Sequence, residues 1–293
     1  MSAAPGNLLF DAAFLAGLER LRFAVRRLQA RDGEGRVDRS RRGGRVEFAD
    51  HRRYVVGDDP RWVDWSVYQR TGRLYVKEFE REDELSLLLL VDDSGSMGCG
   101  SGFRTAARLA FALAYLGLAA GSRVRVGLCG GERLRMGAEV SGVARVRALG
   151  RQLAGARPAG QTDLDRVLAD VPPARRGSRV VVLLSDLLTE NDGCAAAARL
   201  AARGDDVNVL RMEDRRALVD EIRRPAVLVD AETGERLLVE AGAQSAARRV
   251  LAQLDARWHA LAKRHRLRYL ALDARRPVEE LALTWLRDGG VLA

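Results

Sequence analysis

Apolar side chains recur at spacings of three and four from Phe14 through Leu15, Leu18, Leu21 and Val25 to Leu28, which predicts an amphipathic helix over 11–28 with Asp11 as its cap. The periodicity then stops. Residues 31–45, RDGEGRVDRSRRGGR, hold one apolar side chain, Val37, and four glycines, the composition of a loop. Residues 57–72 predict a turn and a short helix, with Asp59 as cap, Pro60 in the first turn and Gly72 as the stop. Trp62 and Trp65, three apart on that helix, read as core anchors. RLYVKEFE follows as a strand, with Leu74 and Val76 on one face and Tyr75, Lys77 and Phe79 on the other.

From Leu85 onward strands and helices alternate. The runs LSLLLLV (85–91), RVVVLLS (179–185), VNVLRM (207–212) and LRYLAL (267–272) are nearly continuous in apolar residues, as parallel strands covered on both faces are. Helical stretches are expected at 103–120, 143–154, 163–170, 192–203 and 243–265. A hairpin at Gly130 and Gly131 adds an antiparallel edge strand, and a second is expected over 226–240, turning at Thr233 and Gly234. The fold class is therefore α/β: a doubly wound, mostly parallel sheet over 85–293, preceded over 1–84 by an N-terminal helical and strand extension.

Composition narrows the picture. The 293 residues carry a formal charge of +9, but 47 of the 49 basic residues are arginine, and they are spread along the chain. The densest excess, Arg20 to Arg53, contains no groove-reading motif and only Phe23 and Phe48 as stacking aromatics, so a solvated or partner-facing basic surface fits better than nucleic-acid binding. Cys99, Cys129 and Cys194 form no C-x-x-C pair, which suits a reducing cytoplasm and neither a disulfide framework nor a zinc site. No apolar stretch reaches the ~20 residues needed to span a bilayer, so a chain neither exported nor membrane-embedded is expected.

The chemistry gathers at strand ends. In open α/β sheets ligands bind beyond the carboxyl ends of the strands. There the chain places Asp92, Ser94 and Ser96 in VDDSGSMG, Asp186 in VVLLSDLL, and Thr162 in GQTDLD. Two carboxylates and three hydroxyls are hard oxygen donors, and Mg²⁺ is their natural occupant, with Mn²⁺ or Ca²⁺ as alternatives. Asp92, Ser94 and Ser96 would also serve as caps of the following helix.

This D-x-S-x-S sequence, with Thr162 and Asp186 in order after it, resembles the metal-ion-dependent adhesion site of von Willebrand factor A domains. Residues 43–82, GGRVEFADHRRYVVGDDPRWVDWSVYQRTGRLYVKEFERE, resemble the signature of the bacterial family known as domain of unknown function 58. The resemblance implies that Ser94 and Ser96 hold a metal directly, Thr162 directly or through water, and Asp92 and Asp186 through water. Neutral inner ligands would leave the cation most of its charge and one open position for a partner's carboxylate. Asp93 should point away, capping or pairing with an arginine. The family often occurs beside MoxR-type AAA+ ATPases, which implies a non-enzymatic adaptor in the maturation or assembly of other proteins. A Mg²⁺-dependent phosphoryl-transfer or hydrolytic enzyme is the alternative, weakened by Ser94 standing where a D-x-D pair has its second carboxylate and by the lack of a nearby histidine. A nucleic-acid-binding protein, resting on charge alone, is a weaker alternative.

Overall fold

A computed structural model describes residues 9–32, 46–53, 63–81, 85–174, 177–189, 191–214, 226–239 and 243–288. The chain divides into two compact units, residues 36–84 and the remainder.

In the smaller unit β1 (Val46–Arg53) pairs antiparallel with β2 (Tyr75–Arg81), Val46 opposite Arg81 and Arg53 opposite Tyr75, with a bulge between Phe48 and Asp50. Strand β2 lies where the alternation predicted it. Strand β1 was not anticipated, because charges break up its apolar positions. Helix α2 (Trp65–Thr71) is capped by Asp64, whose Oδ1 accepts from the Val67 N–H at 3.2 Å, and Gly72 ends it at φ 67°. The expected cap Asp59, Pro60 and Trp62 lie outside the described residues. Trp65 is no core anchor: it is 58% exposed and meets Tyr68 edge-on at 6.0 Å. A two-turn helix has little surface to offer an indole, so more than half of the ring stays in water, with Tyr68 its aromatic neighbour among the described residues.

The larger unit contains α1 (Ala12–Asp32), β3 (Ser86–Val91), α3 (Gly102–Ala119), β4 (Arg123–Leu128), β5 (Arg135–Met136), α4 (Val146–Gly155), α5 (Leu164–Ala169), β6 (Arg179–Ser185), α6 (Cys194–Ala202), β7 (Asp206–Glu213), β8 (Ala226–Val229), β9 (Arg236–Val239), α7 (Ala243–His265), β10 (Arg268–Asp273) and α8 (Val278–Asp288). The sheet order is β10-β7-β6-β3-β4-β5, parallel except for the antiparallel edge strand β5, which is the arrangement the sequence predicts. Strands β8 and β9 form a separate two-stranded hairpin.

Period-two alternation explains why the central strands read as unbroken apolar runs. Leu87, Leu89 and Val91 of β3 join one core with α1, α3, α4 and α8, while Leu88 and Leu90 join a second with α5, α6 and α7. Each fully buried leucine contributes about 1.5–3 kcal/mol relative to exposure.

Helix α1 starts at the expected cap: the Phe14 N–H donates to Asp11 Oδ1 at 2.8 Å. Phe14, Leu18, Leu21 and Val25 are buried, while Leu15, on the flank of the stripe, is 45% exposed. The helix packs against α3 and α8 in the larger unit, although its sequence position groups it with the N-terminal extension. Helix α8 was absent from the pattern-based expectations. Its signals are Glu279 and Glu280 in the first turn after Pro277, then Leu281, Ala282, Trp285 and Leu286, all buried.

Candidate metal centre

Strands β3 and β6 run side by side and end together, Val91 opposite Leu184, and the Asp92 N–H continues the pairing to Leu184 O at 2.9 Å. Chain direction then changes in both, and the side chains of the turns close on one another. Asp92 is fully buried. Its Oδ1 accepts from the Ser94 N–H at 2.9 Å and its Oδ2 from the Ser185 hydroxyl at 2.5 Å. Ser185 Oγ in turn accepts from the Leu187 N–H at 2.9 Å, so one serine ties the two strand ends together. The hydroxyls of Ser94 and Ser96 stand 3.1 Å apart. Asp186 Oδ1 accepts from the Leu188 N–H at 3.0 Å.

Leu187, between these donors, holds φ 60°. A buried leucine in the left-handed region carries about 1–3 kcal/mol of strain, offset here by its burial and by the bond to Ser185. The turn that presents Asp186 is therefore held by its surroundings rather than by local preference.

Thr162 arrives on a third segment. Gly95 N–H donates to Gly160 O at 2.9 Å, Ala159 N–H to Asp93 O at 3.0 Å and Gly131 N–H to Gln161 O at 3.2 Å, and Thr162 bridges to Gly131. These contacts lay 159–162 along the loop that carries the serines. Thr162 is 4% exposed and its Oγ1 is buried with no hydrogen-bond partner among the described residues. An orphaned buried hydroxyl costs about 1–3 kcal/mol.

The electrostatics of the group are unbalanced. Burial pushes the Asp92 carboxyl up to about 6, with the neighbouring Asp186 charge acting in the same direction, against hydrogen bonds from Ser185 and Ser94. Burial also raises Asp186, opposed by the Leu188 N–H and the Ser96 hydroxyl; Glu232 raises it further and Arg211 lowers it. Burial, Asp92 and Asp93 together hold the Cys129 thiol well above its usual range. Asp93 turns away from the pair, as expected: Oδ1 accepts from the Gly130 N–H at 2.6 Å and Oδ2 from Arg135 Nη2 at 2.5 Å. The capping alternative fails, because α3 begins only at Gly102 and it is Asp214 that accepts from the N–H and hydroxyl of Ser101.

The structure thus links Asp92, Ser94, Ser96 and Asp186 directly and brings the Thr162 segment alongside them. Three participants were missed from the sequence. Ser185 had a signal, its place one residue before Asp186. Arg211 had none: its charge acts on Asp186 from the strand beside β6, while its guanidinium is held by Tyr269 OH at 2.9 Å, Asp255 at 3.0 Å and Glu213. Glu232 had none either, being brought in by the β8–β9 hairpin.

The donors fit a hard divalent cation. Buried carboxylates whose charge is poorly balanced, two adjacent hydroxyls and an orphaned threonine oxygen are what such an ion would satisfy. Among the described residues no three His, Cys, Asp or Glu side chains stand close enough to hold a metal by themselves, so hydroxyls would have to share the work. A separate cavity of about 220 Å³, lined by Arg22, Val25, Leu87, Leu113 and Trp285 among others, opens near the start of the strands and has no part in this group.

The sequence profile of a family described as Protein of unknown function DUF58 matches residues 50–261. Uncharacterized proteins of Mycobacterium bovis and Mycobacterium tuberculosis are each 27% identical over 197 residues, 64% of this chain and 61% of theirs, so the chain spans about three-fifths of the length of the curated relatives it matches. Among solved structures, BatB from Bacteroides thetaiotaomicron is 14% identical with a TM-score of 0.47, over 71% of this chain and 99% of that one. A von Willebrand factor type A protein from Catenulispora acidiphila is 17% identical with a TM-score of 0.32, over 48% and 34%. Manganese-loaded TRAP of Plasmodium vivax is 19% identical with a TM-score of 0.34, over 44% and 57%.

Proposed function

The chain belongs to the DUF58 family, and from that premise we propose that it is a metal-dependent protein-binding adaptor, not an enzyme, working with a MoxR-type AAA+ ATPase in the maturation or assembly of other proteins. The observation that carries the metal dependence is the buried Thr162 Oγ1, without a hydrogen-bond partner among the described residues, on a segment whose backbone is bonded to the loop that carries Ser94, Ser96 and Asp92. Ser94 and Ser96, with Thr162, would hold Mg²⁺, while Asp92 and Asp186 would steady it from outside; Mn²⁺ and Ca²⁺ suit the same oxygens. When bound, the cation supplies an electrophilic position that attracts a partner's carboxylate.

The protein's own groups do the rest. Ser185 and the Ser94 N–H occupy both oxygens of Asp92, fixing its orientation. Arg135 and Gly130 keep Asp93 out of the site. The arginine-rich composition would draw an acidic partner by long-range attraction. Against an enzymatic reading, among the described residues no histidine is hydrogen-bonded to any of the five positions, and Asp92 has both oxygens engaged rather than poised to attack or take a proton.

Among the described residues no helix is long and apolar enough to cross a membrane. The test is capture of partners from native extract in Mg²⁺ and in EDTA, followed by affinity measurements on the partner recovered with wild type and Thr162→Ala. Binding that weakens with salt, vanishes on chelation and falls in the variant supports the adaptor reading. Equal affinity under all four conditions refutes it, and Mg²⁺-dependent phosphatase activity would favour the enzymatic alternative.

A further inference from the structure

The hairpin β8–β9 has a closed tip. Asp230 Oδ1 accepts from the N–H groups of Glu232 and Thr233, both at 2.8 Å, its carbonyl accepts from the Gly234 N–H at 2.9 Å, and Gly234 turns at φ 75°. This turn sets the direction of Glu232 before any tertiary contact is made. It is packed on the metal loop: a Cβ placed on Gly95 would lie 2.6 Å from Ala231 O and 3.4 Å from Glu232 Cα. Only glycine between Ser94 and Ser96 lets the turn come so close.

Glu232 ends in the same place. Its Oε1 is buried and has no hydrogen-bond partner among the described residues. Ser96 faces this carboxylate with its hydroxyl and its backbone N–H, and Asp92 lies near enough for its charge to act on it. A glutamate brought up to two buried aspartates with one oxygen unsatisfied is costly by itself and becomes favourable opposite a cation. The strands behind it are weakly held, since Val227, Val229, Leu237 and Leu238 are all more than half exposed and, among the described residues, the hairpin pairs only with itself.

We propose that Glu232 is the chain's own occupant of the position that the metal site keeps open for a partner's carboxylate, so that a partner must displace the hairpin tip in order to bind. The inference rests on the metal-site reading and adds to it an internal competitor of the same chemistry as the ligand.

The test uses Mn²⁺ alone as the probe, with the full chain. Mn²⁺ affinity and the water-proton relaxivity of the bound ion are measured for wild type, Glu232→Ala, Glu232→Gln, Glu235→Ala and Ser94→Ala. Removing the Glu232 carboxylate weakens Mn²⁺ by roughly three- to tenfold and raises relaxivity, because water enters the vacated position. Glu232→Gln falls between wild type and Glu232→Ala. Glu235→Ala, the same charge lost on the exposed side of the turn, behaves as wild type. Unchanged affinity and relaxivity in both Glu232 variants, with Mn²⁺ bound by wild type and lost in Ser94→Ala, overturns the inference and leaves the metal site standing. No Mn²⁺ binding by wild type, or full binding by Ser94→Ala, overturns the metal site itself and the inference with it. Melting temperatures without metal, measured on every variant, separate these outcomes from loss of fold.

Discussion

The central sheet and the β8–β9 hairpin both consist of apolar strands, and they place them in opposite environments. Leu89 and Leu90 of β3 are 0% exposed, whereas Leu237 and Leu238 of β9 are 67% and 71% exposed. The difference is not in the side chains. A parallel strand between two helical layers buries both its faces, while the two-stranded ribbon, paired among the described residues with no other strand, leaves Val227, Val229, Leu237 and Leu238 more than half exposed. The lesson concerns the division of labour at the site. The oxygens of Asp92, Ser94 and Asp186 stand on the firmest part of the molecule, and Glu232 stands on an element held chiefly at its tip. The contrast sets donors at the ends of a buried sheet against a carboxylate carried by an exposed ribbon.

The largest expected effect tests the firm side. Leu89→Ala should lower unfolding free energy by about 2–5 kcal/mol in a urea titration, since it opens a cavity between packed layers. A loss under 1 kcal/mol would mean that the sheet is not the rigid support described.

Metal should come next. Mg²⁺ at a hundred times its dissociation constant should stabilise the wild-type fold by about 2.7 kcal/mol, read as a rise in melting temperature, and Asp92→Ala or Ser94→Ala should abolish the response. Stabilisation surviving in both variants would place the cation elsewhere.

Thr162→Ala separates holding the ion from holding the fold. The substitution removes a hydroxyl that has no partner, so stability without metal should stay level or rise by up to about 1–3 kcal/mol, while the stabilisation by Mg²⁺ shrinks. A variant that loses stability equally with and without metal would show Thr162 to be structural only.

The smallest effects belong to the exposed elements. Leu238→Ala should change stability by no more than about 0.5 kcal/mol. In the smaller unit, Trp65→Phe should remove a fluorescence component that iodide quenches readily, in contrast to the fully buried Trp258 of α7. An unquenchable Trp65 would make it a core anchor after all.

The larger unit was legible in the sequence because its determinants are local and periodic. The runs at 85–91 and 179–185 name their own strands, and their doubled burial follows from the absence of alternation. Helix α1 was equally plain from Phe14 to Val25, and the edge strand after Gly131 from its glycines. Four of the five proposed donors, Asp92, Ser94, Ser96 and Asp186, could be read from their position where apolar runs end, since ligands collect beyond the carboxyl ends of strands. What the sequence could not determine depends on contacts between distant segments. Nothing in EFADHRR tells β1 that its partner lies at 75–81. Nothing in the α1 pattern says that its apolar stripe is covered by α3 and α8, because a stripe states that a face is buried and not by what. Ser185 bonds Asp92 across 93 residues, the charge of Arg211 acts on Asp186 only because β7 pairs with β6, and Glu232 meets Ser96 only because a turn packs on a glycine. Side-chain periodicity fixes which residues face inward; the pairing of strand ends and the close approach of loops decide which of them meet.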